Sequence, residues 1–273
     1  MSYVLDAEFV KGFIRMASDG DSLGWHERNG GNLSYRIKPD EIEDIKNSLD
    51  YTRPFVPCGT TAGNLAGEYF LITGSGKYFK NIALNPEENL AIIQIDETGS
   101  RYRTVWGLVK GGVPTSELPT HLINHSVKKR ISSGRIRVIY HCHPGNTIAL
   151  TFVLPLDSKT FTRELWETAT ECPVVFPNGV GVLKWMVPGG EQIGIETGKL
   201  IEKHDIVVWA HHGIFCAGED FDQTFGLAVT VEKAAEILVK VLSMGGKRQK
   251  ITTENFKDLA KAFKLTLPNG FLE

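Results

Sequence analysis

The sequence predicts a single α/β domain built on a mixed, mostly antiparallel central sheet flanked by helices. Three observations carry that expectation: strand-like runs and helical stripes alternate along the chain, a tight turn joins two of the strands, and no repeat, low-complexity tract or linker divides the 273 residues. Residues with chemical potential are spread from 29 to 212, which also favours one domain over two. A single domain of this length buries about 75% of its unfolded surface, so its core needs no staples.

Phe9, Val10, Phe13, Ile14, Met16 and Ala17 recur at helical spacing until the pattern breaks near Gly20 to Gly24. Arg28-Asn29-Gly30-Gly31-Asn32 turns the chain into a strand from Leu33 to Ile37. Residues 38–66, with Pro39, Pro54, Pro57, Gly59 and Gly63, form an excursion that holds a short helix near 40–48 and little else that is regular. Glu68 to Thr73 reads as a strand ending in Gly74-Ser75-Gly76-Lys77, and Ala91 to Asp96 pairs with Tyr102 to Leu108 around Thr98-Gly99. Pro114-Thr115-Ser116-Glu117 opens a helix that runs to about Arg130. A strand at 136–142, a helix around 145–153, strand-like pieces near 172–176 and 180–187, a helix near 190–203 and a strand at 206–211 follow. The last element is a helix from Asp222 to Ser243, whose Phe225, Leu227, Ala228, Val231, Ala235, Leu238, Val241 and Leu242 make a broad core stripe that stops at Gly245-Gly246.

Thirty basic against 32 acidic side chains leave a formal charge of −2, so there is no basic field of the kind that nucleic acid or anionic lipid requires. A small-molecule substrate is the expectation. The cysteines at 58, 142, 172 and 216 have neither metal-ribbon spacing nor the density of a disulfide framework, and reduced thiols in a cytoplasm follow. The N-terminal stretch from Met1 reaches Asp6 before any long apolar run, and no run of about 18 apolar residues appears, so neither export nor a membrane span is expected.

His141-Cys142-His143 ends the apolar run Val138-Ile139-Tyr140, and alternation along a strand puts His141 and His143 on one face. Two such imidazoles make half of a transition-metal site. A third from a neighbouring strand leaves the fourth position of zinc open, which is the arrangement of catalysis rather than scaffolding. His211-His212-Gly213 closes the run at 206–209 and offers that third ring, though only one of the two adjacent histidines can face the metal. The plain alternative is a pair of core histidines bonded to backbone.

Glu117 follows two hydroxyls at a helix start, where the dipole alone accounts for a carboxylate; beside a metal it becomes a proton carrier. Gly74-Ser75-Gly76-Lys77 lacks the spacing of a nucleoside-triphosphate loop, and a nest for one phosphate monoester or a simple tight turn both fit it. Asn29-Gly30-Gly31-Asn32 allows the same two readings. His26, His121, His125 and His204 are expected at surface or capping positions, with His121 and His125 four apart on one helix face. No lysine sits inside an apolar strand in a way that suggests a Schiff base.

Taken together, Asn29-Gly30-Gly31-Asn32, Thr73-Gly74-Ser75-Gly76, Pro114-Thr115-Ser116-Glu117, His141-Cys142-His143 and His212-Gly213 resemble the class II aldolase/adducin family in order and spacing over nearly the whole chain. Trp-His-Glu-Arg-Asn-Gly-Gly-Asn at 25–32, Val-Pro-Thr-Ser-Glu-Leu-Pro at 113–119, Val-Lys-Val-Leu-Ser-Met-Gly-Gly at 239–246 and the length of the 38–66 excursion narrow the resemblance to one branch. What it implies is a zinc lyase that splits L-rhamnulose 1-phosphate into dihydroxyacetone phosphate and L-lactaldehyde, with one zinc per subunit held by His141, His143 and His212. It further implies Glu117 as the proton carrier and Asn29, Gly31, Asn32, Ser75, Gly76, Thr115 and Ser116 as the holders of the phosphate and the oxygens beside it. A homotetramer with sites at subunit interfaces is implied too, with Glu171 reaching a neighbour's site near the aldehyde. A pentulose-phosphate 4-epimerase of the same superfamily shares the metal chemistry, and a non-enzymatic adducin-like interaction domain would have lost the histidines and the glutamate that stand here.

Overall fold

The computed structural model describes residues 3–273, so Met1 and Ser2, the first two residues of the N-terminal stretch, lie outside it. Its elements in order are α1 (Glu8–Ser22), β1 (Asn32–Arg36), α2 (Pro39–Ile45), β2 (Val56–Pro57), β3 (Tyr69–Thr73), α3 (Pro86–Asn89), β4 (Leu90–Ile95), β5 (Arg101–Gly107), α4 (Leu118–Ile131), β6 (Val138–Cys142), α5 (Gly145–Leu150), α6 (Ser158–Trp166), α7 (Cys172–Val175), β7 (Gly181–Leu183), α8 (Glu191–Ile201), β8 (Ile206–Trp209), β9 (Gly213–Gly218), α9 (Phe221–Ser243) and α10 (Thr253–Phe263).

The strands form one sheet in the order β2-β5-β4-β3-β1-β6-β9-β8-β7. Every pairing is antiparallel except that of β7 with β8, which is the mixed, mostly antiparallel sheet the sequence predicts. The central strands are covered on both faces. Val138, Tyr140 and Cys142 of β6 point into the core shared with α1 and α9, while Ile139 points to the opposite face, where it packs with Phe215 and Trp209 under α4 and α8. Alternation therefore sends His141 to the α4 side. There the register sets Asn32 of β1 beside it on one flank and Phe215 of β9 on the other.

Three expectations need correction. Residues 172–175 form a short helix, α7, because Pro173 at its first turn is preset for helical φ and lacks the N–H a strand would need. The chain does not end with α9. After Gly245 and Gly246, Thr252 and Asn255 form a capping box that starts α10, and its Phe256 packs edge-on against Trp166 at 5.7 Å. The third concerns the strand expected at 206–211, which ends at Trp209 and turns through 210–212 into a hairpin with β9, a strand the apolar pattern does not announce. Helix α6, capped by Asp157, also went unforeseen. The excursion at 38–66 holds α2, the two-residue β2 and two single 3-10 turns. Among the described residues no helix is long and apolar enough to cross a membrane, and all four cysteines are buried and free.

Candidate active site

His141 and His143 leave the end of β6 on the same face, and the β8–β9 turn delivers His212 to them. That approach needs glycine at 213, where a Cβ would stand 2.3 Å from the Cys142 carbonyl oxygen. The three rings are nearly equidistant: the centroids are 4.9 Å apart for His141 and His143, and 5.0 Å for each of them with His212. One nitrogen from each lies within 4.8 Å of the others.

Hydrogen bonds outside the triad fix which nitrogen faces inward. His141 Nδ1 donates to the Ile214 carbonyl at 2.9 Å, and His143 Nδ1 donates to Glu27 Oε1 at 2.7 Å. Each ring's single proton is thereby committed outward, so the two Nε2 atoms face each other at 3.2 Å with lone pairs and no hydrogen between them. A metal ion seated between them takes up both lone pairs. Two zinc ligands at tetrahedral geometry stand about 3.3 Å apart, so the donor set and its spacing fit the metal. Burial holds His141 well below the usual histidine pKa and takes His212 down to about 4, with His143 adding to both effects. Unprotonated imidazoles are what a metal requires.

Of the two adjacent histidines, His211 turns its ring away from the triad. It adopts a left-handed φ of 61°, and its ring meets Thr151 Oγ1 at 3.1 Å and Phe152, 4.3 Å between centroids. His212 is the ring that joins the triad.

Glu117 stands immediately before α4, and its side chain does not cap the helix. It is 6% exposed, its Oε2 accepts a 2.8 Å bond from Asn32 Nδ2, and that oxygen lies 3.5 Å from His141 Nε2. Burial pushes its pKa up to about 7 against the pull of the Asn32 bond. The dipole reading of this residue is thus insufficient, since its carboxylate is turned toward the triad.

A cleft of about 200 Å³ surrounds these groups, and Asn29, Gly31, Asn32, Ser75, Gly76, Thr115, Ser116, Glu117, His141, His143 and His212 all line it. Two segments 40 residues apart are stitched together there: Ser75 N–H donates to the Val113 carbonyl at 2.8 Å and Thr115 N–H to that of Thr73 at 2.9 Å. Gly31 closes the opposite wall at φ 74°, where a Cβ would stand 2.5 Å from His26 Nδ1. Glu171 is not in the cleft; it lies exposed at the start of α7. A larger hollow of about 500 Å³ beside Arg135, Asp205 and Glu219 has no comparable cluster.

The four remaining histidines are buried rather than at the surface. His26 stacks on Phe79 at 3.5 Å, bonds the Gly30 carbonyl and accepts from the Tyr140 hydroxyl, which anchors the 26–31 loop. His204 donates to the Asn178 carbonyl, and His121 and His125 both meet Ser34. Sequence reasoning also passed over Glu27, whose only signal was an acidic side chain next to the Asn-Gly-Gly-Asn turn.

Comparison with known proteins extends this picture. A family profile described as Class II Aldolase and Adducin N-terminal domain matches residues 12–239. Rhamnulose-1-phosphate aldolase of Mannheimia succiniciproducens is 51% identical over 272 residues, covering 100% of both chains. The protein of the same name from Klebsiella pneumoniae is 47% identical over 265 residues, 97% of this chain and 96% of its own. Among solved structures, a sugar-phosphate aldolase from Thermotoga maritima superposes with a TM-score of 0.76 at 26% identity, covering 88% of this chain and 97% of that one.

Proposed function

This chain belongs to the class II aldolase and adducin family, and from that premise we propose that it cleaves L-rhamnulose 1-phosphate to dihydroxyacetone phosphate and L-lactaldehyde, using one zinc ion per subunit. The observation that carries the reading is the meeting of two inward-facing lone pairs, on His141 and His143, with His212 and the buried carboxyl of Glu117. Full-length identity near one half to relatives named for that substrate supports the choice of sugar.

His141, His143 and His212 would hold the zinc, which when bound supplies Lewis acidity at the ketone of the substrate. The chain's own groups do the rest. The backbone around Gly30, Gly31 and Gly76, with the hydroxyls of Ser75, Thr115 and Ser116, forms a neutral donor-rich pocket for the phosphate and for the oxygens near the bond that breaks. Holding the phosphate there fixes the ketose in one register and turns remote binding energy into positioning. As the bond between the third and fourth carbons breaks, the fourth-carbon hydroxyl passes its proton to a carboxylate at the aldehyde end and becomes the aldehyde, Glu117 gives a proton to the third carbon, and exchange with water returns both carboxyl groups to their starting states. In the reverse direction Glu117 takes that proton back. A carboxyl group whose pKa burial has brought near 7 suits both directions.

We assign Glu171 to the aldehyde end of a neighbouring subunit's cleft within a homotetramer, in keeping with its exposure and its distance from the cleft of its own chain. The four buried free thiols suit the reducing conditions of a cytoplasm. The deciding experiment supplies L-rhamnulose 1-phosphate to the purified protein and follows dihydroxyacetone phosphate with a coupled reductase. Its formation is expected; no triose phosphate from rhamnulose phosphate, together with epimerised product from a pentulose phosphate, overturns the assignment in favour of an epimerase.

A further inference from the structure

We infer that Ser34, His121 and His125 are positioning residues for Glu117: they form a one-way hydrogen-bond relay that holds the Asn32 amide with its NH2 group on Glu117 Oε2, leaving Oε1 to carry the proton that is transferred. This rests on the reading of Glu117 as the proton carrier.

Asn32 and Ser34 are two apart on β1, and His121 and His125 are four apart on α4, so each pair presents one face to the other. The contacts run in a single line. Ser34 Oγ lies 2.8 Å from His125 Nε2 and 2.6 Å from His121 Nδ1, His121 Nε2 meets Asn32 Oδ1, and Asn32 Nδ2 meets Glu117 Oε2 at 2.8 Å. Ser34, His121 and His125 are wholly buried, and Asn32 and Glu117 are nearly so.

The protons in this line can be assigned. No carboxylate contacts either imidazole, and burial keeps both neutral, taking His121 down to about 3, while His121 and the cations of Arg36 and Arg137 push His125 further in the same direction. A neutral ring has one donor and one acceptor, and a hydroxyl has one hydrogen to give. With the Asn32 amide donating to the carboxylate, its Oδ1 must accept from His121 Nε2–H. His121 Nδ1 then accepts the Ser34 hydrogen, and Ser34 Oγ accepts from His125 Nε2–H. The line ends at His125 Nδ1, a buried atom with no partner. In this polarity that atom is a bare lone pair. The opposite polarity would make it a buried unpaired N–H, which proteins tolerate far less, and would turn Asn32 Oδ1 against the carboxylate. The orphaned nitrogen therefore selects the polarity that points donors at Glu117. With Oε2 occupied as an acceptor, the transferable proton resides on Oε1.

The test uses exchange of the hydroxymethyl proton of dihydroxyacetone phosphate in D2O without aldehyde, followed by NMR, alongside metal content, half-saturating triose phosphate and turnover. Ser34→Ala is expected to slow exchange and turnover together by about 10- to 100-fold while metal content and half-saturation stay within about twofold. Ser34→Thr, which keeps the hydroxyl, should recover most of the loss. Exchange at the wild-type rate in Ser34→Ala overturns the inference alone, as does a loss matched by weaker triose binding or missing metal. No exchange in the unaltered protein instead overturns the Glu117 reading and takes this inference with it. Should Ser34→Ala fail to fold, neutron diffraction of the unaltered protein decides: hydrogen on Nε2 of both His121 and His125 is expected, and hydrogen on Nδ1 of either ring refutes the relay.

Discussion

His143 donates its Nδ1 proton to Glu27 Oε1 at 2.7 Å across 116 positions of sequence, and this bond aims the opposite nitrogen at the triad. A carboxylate behind a metal-facing imidazole orients the ring and raises its basicity. Glu27→Ala should therefore weaken zinc binding about 10- to 100-fold with the fold intact, as read by competition with a chromogenic chelator. Unchanged affinity would remove Glu27 from the site.

The adjacent histidines should separate cleanly. His212→Ala is expected to lose most of the bound zinc on dialysis, measured by plasma emission, whereas His211→Ala keeps it, because the His211 ring lies against Phe152 and Thr151 instead. The reverse order would reassign the third ligand.

Glu117→Gln deletes a proton carrier without deleting a ligand of the triad. Turnover should fall about 10²- to 10⁴-fold while zinc content and triose-phosphate affinity remain. Near-normal turnover in that variant contradicts the role given to Glu117.

Buried neutral histidines also tie stability to pH. Burial lowers the pKa of His26 and of His121 to about 3, while in the unfolded chain they titrate near 6.5. Between those values the unfolded state binds protons that the folded state refuses, so their contribution is fully present above pH 6.5 and is lost as pH falls toward 3. Each ring costs about 1.4 kcal/mol per pH unit well below 6.5. The urea midpoint should drop clearly from pH 7 to pH 5, a window in which ordinary carboxylates stay charged and the raised pKa of Glu117 offsets only part of the loss; an unchanged midpoint would falsify the account of these two rings.

Much of the site is legible in the sequence, and what is not has physical causes. The His141 and His143 pair was readable because strand alternation is a local rule, and Pro114 to Glu117 because helix starts have a chemical signature. The partners of the carboxylate were not. Asn32 reads as a turn residue, and only the pairing of β1 with β6 reveals that it stands beside His141. His121 and His125 read as surface residues because α4 has a weak apolar stripe, yet α8 covers one side of that helix and the sheet the other, so its polar side chains are buried, with His121 and His125 both bonded to Ser34 of β1. Strand β9 escaped because Gly213 looked like a terminator, whereas it is the small residue that lets a hairpin close against β6. Helix α10 lies beyond a Gly-Gly stop and is anchored by Phe256, which packs on Trp166 and under the Arg163 guanidinium, partners distant in sequence that no periodicity in its own segment announces.

Stripping and restoring the metal tests the central claim most directly. Purified protein is dialysed against a strong chelator, and dihydroxyacetone phosphate release from L-rhamnulose 1-phosphate is measured before, after, and on adding back one equivalent of Zn²⁺ per chain. Cleavage should vanish with the metal and return with it, and His141→Ala should not recover; full activity in thoroughly chelated protein would contradict the account.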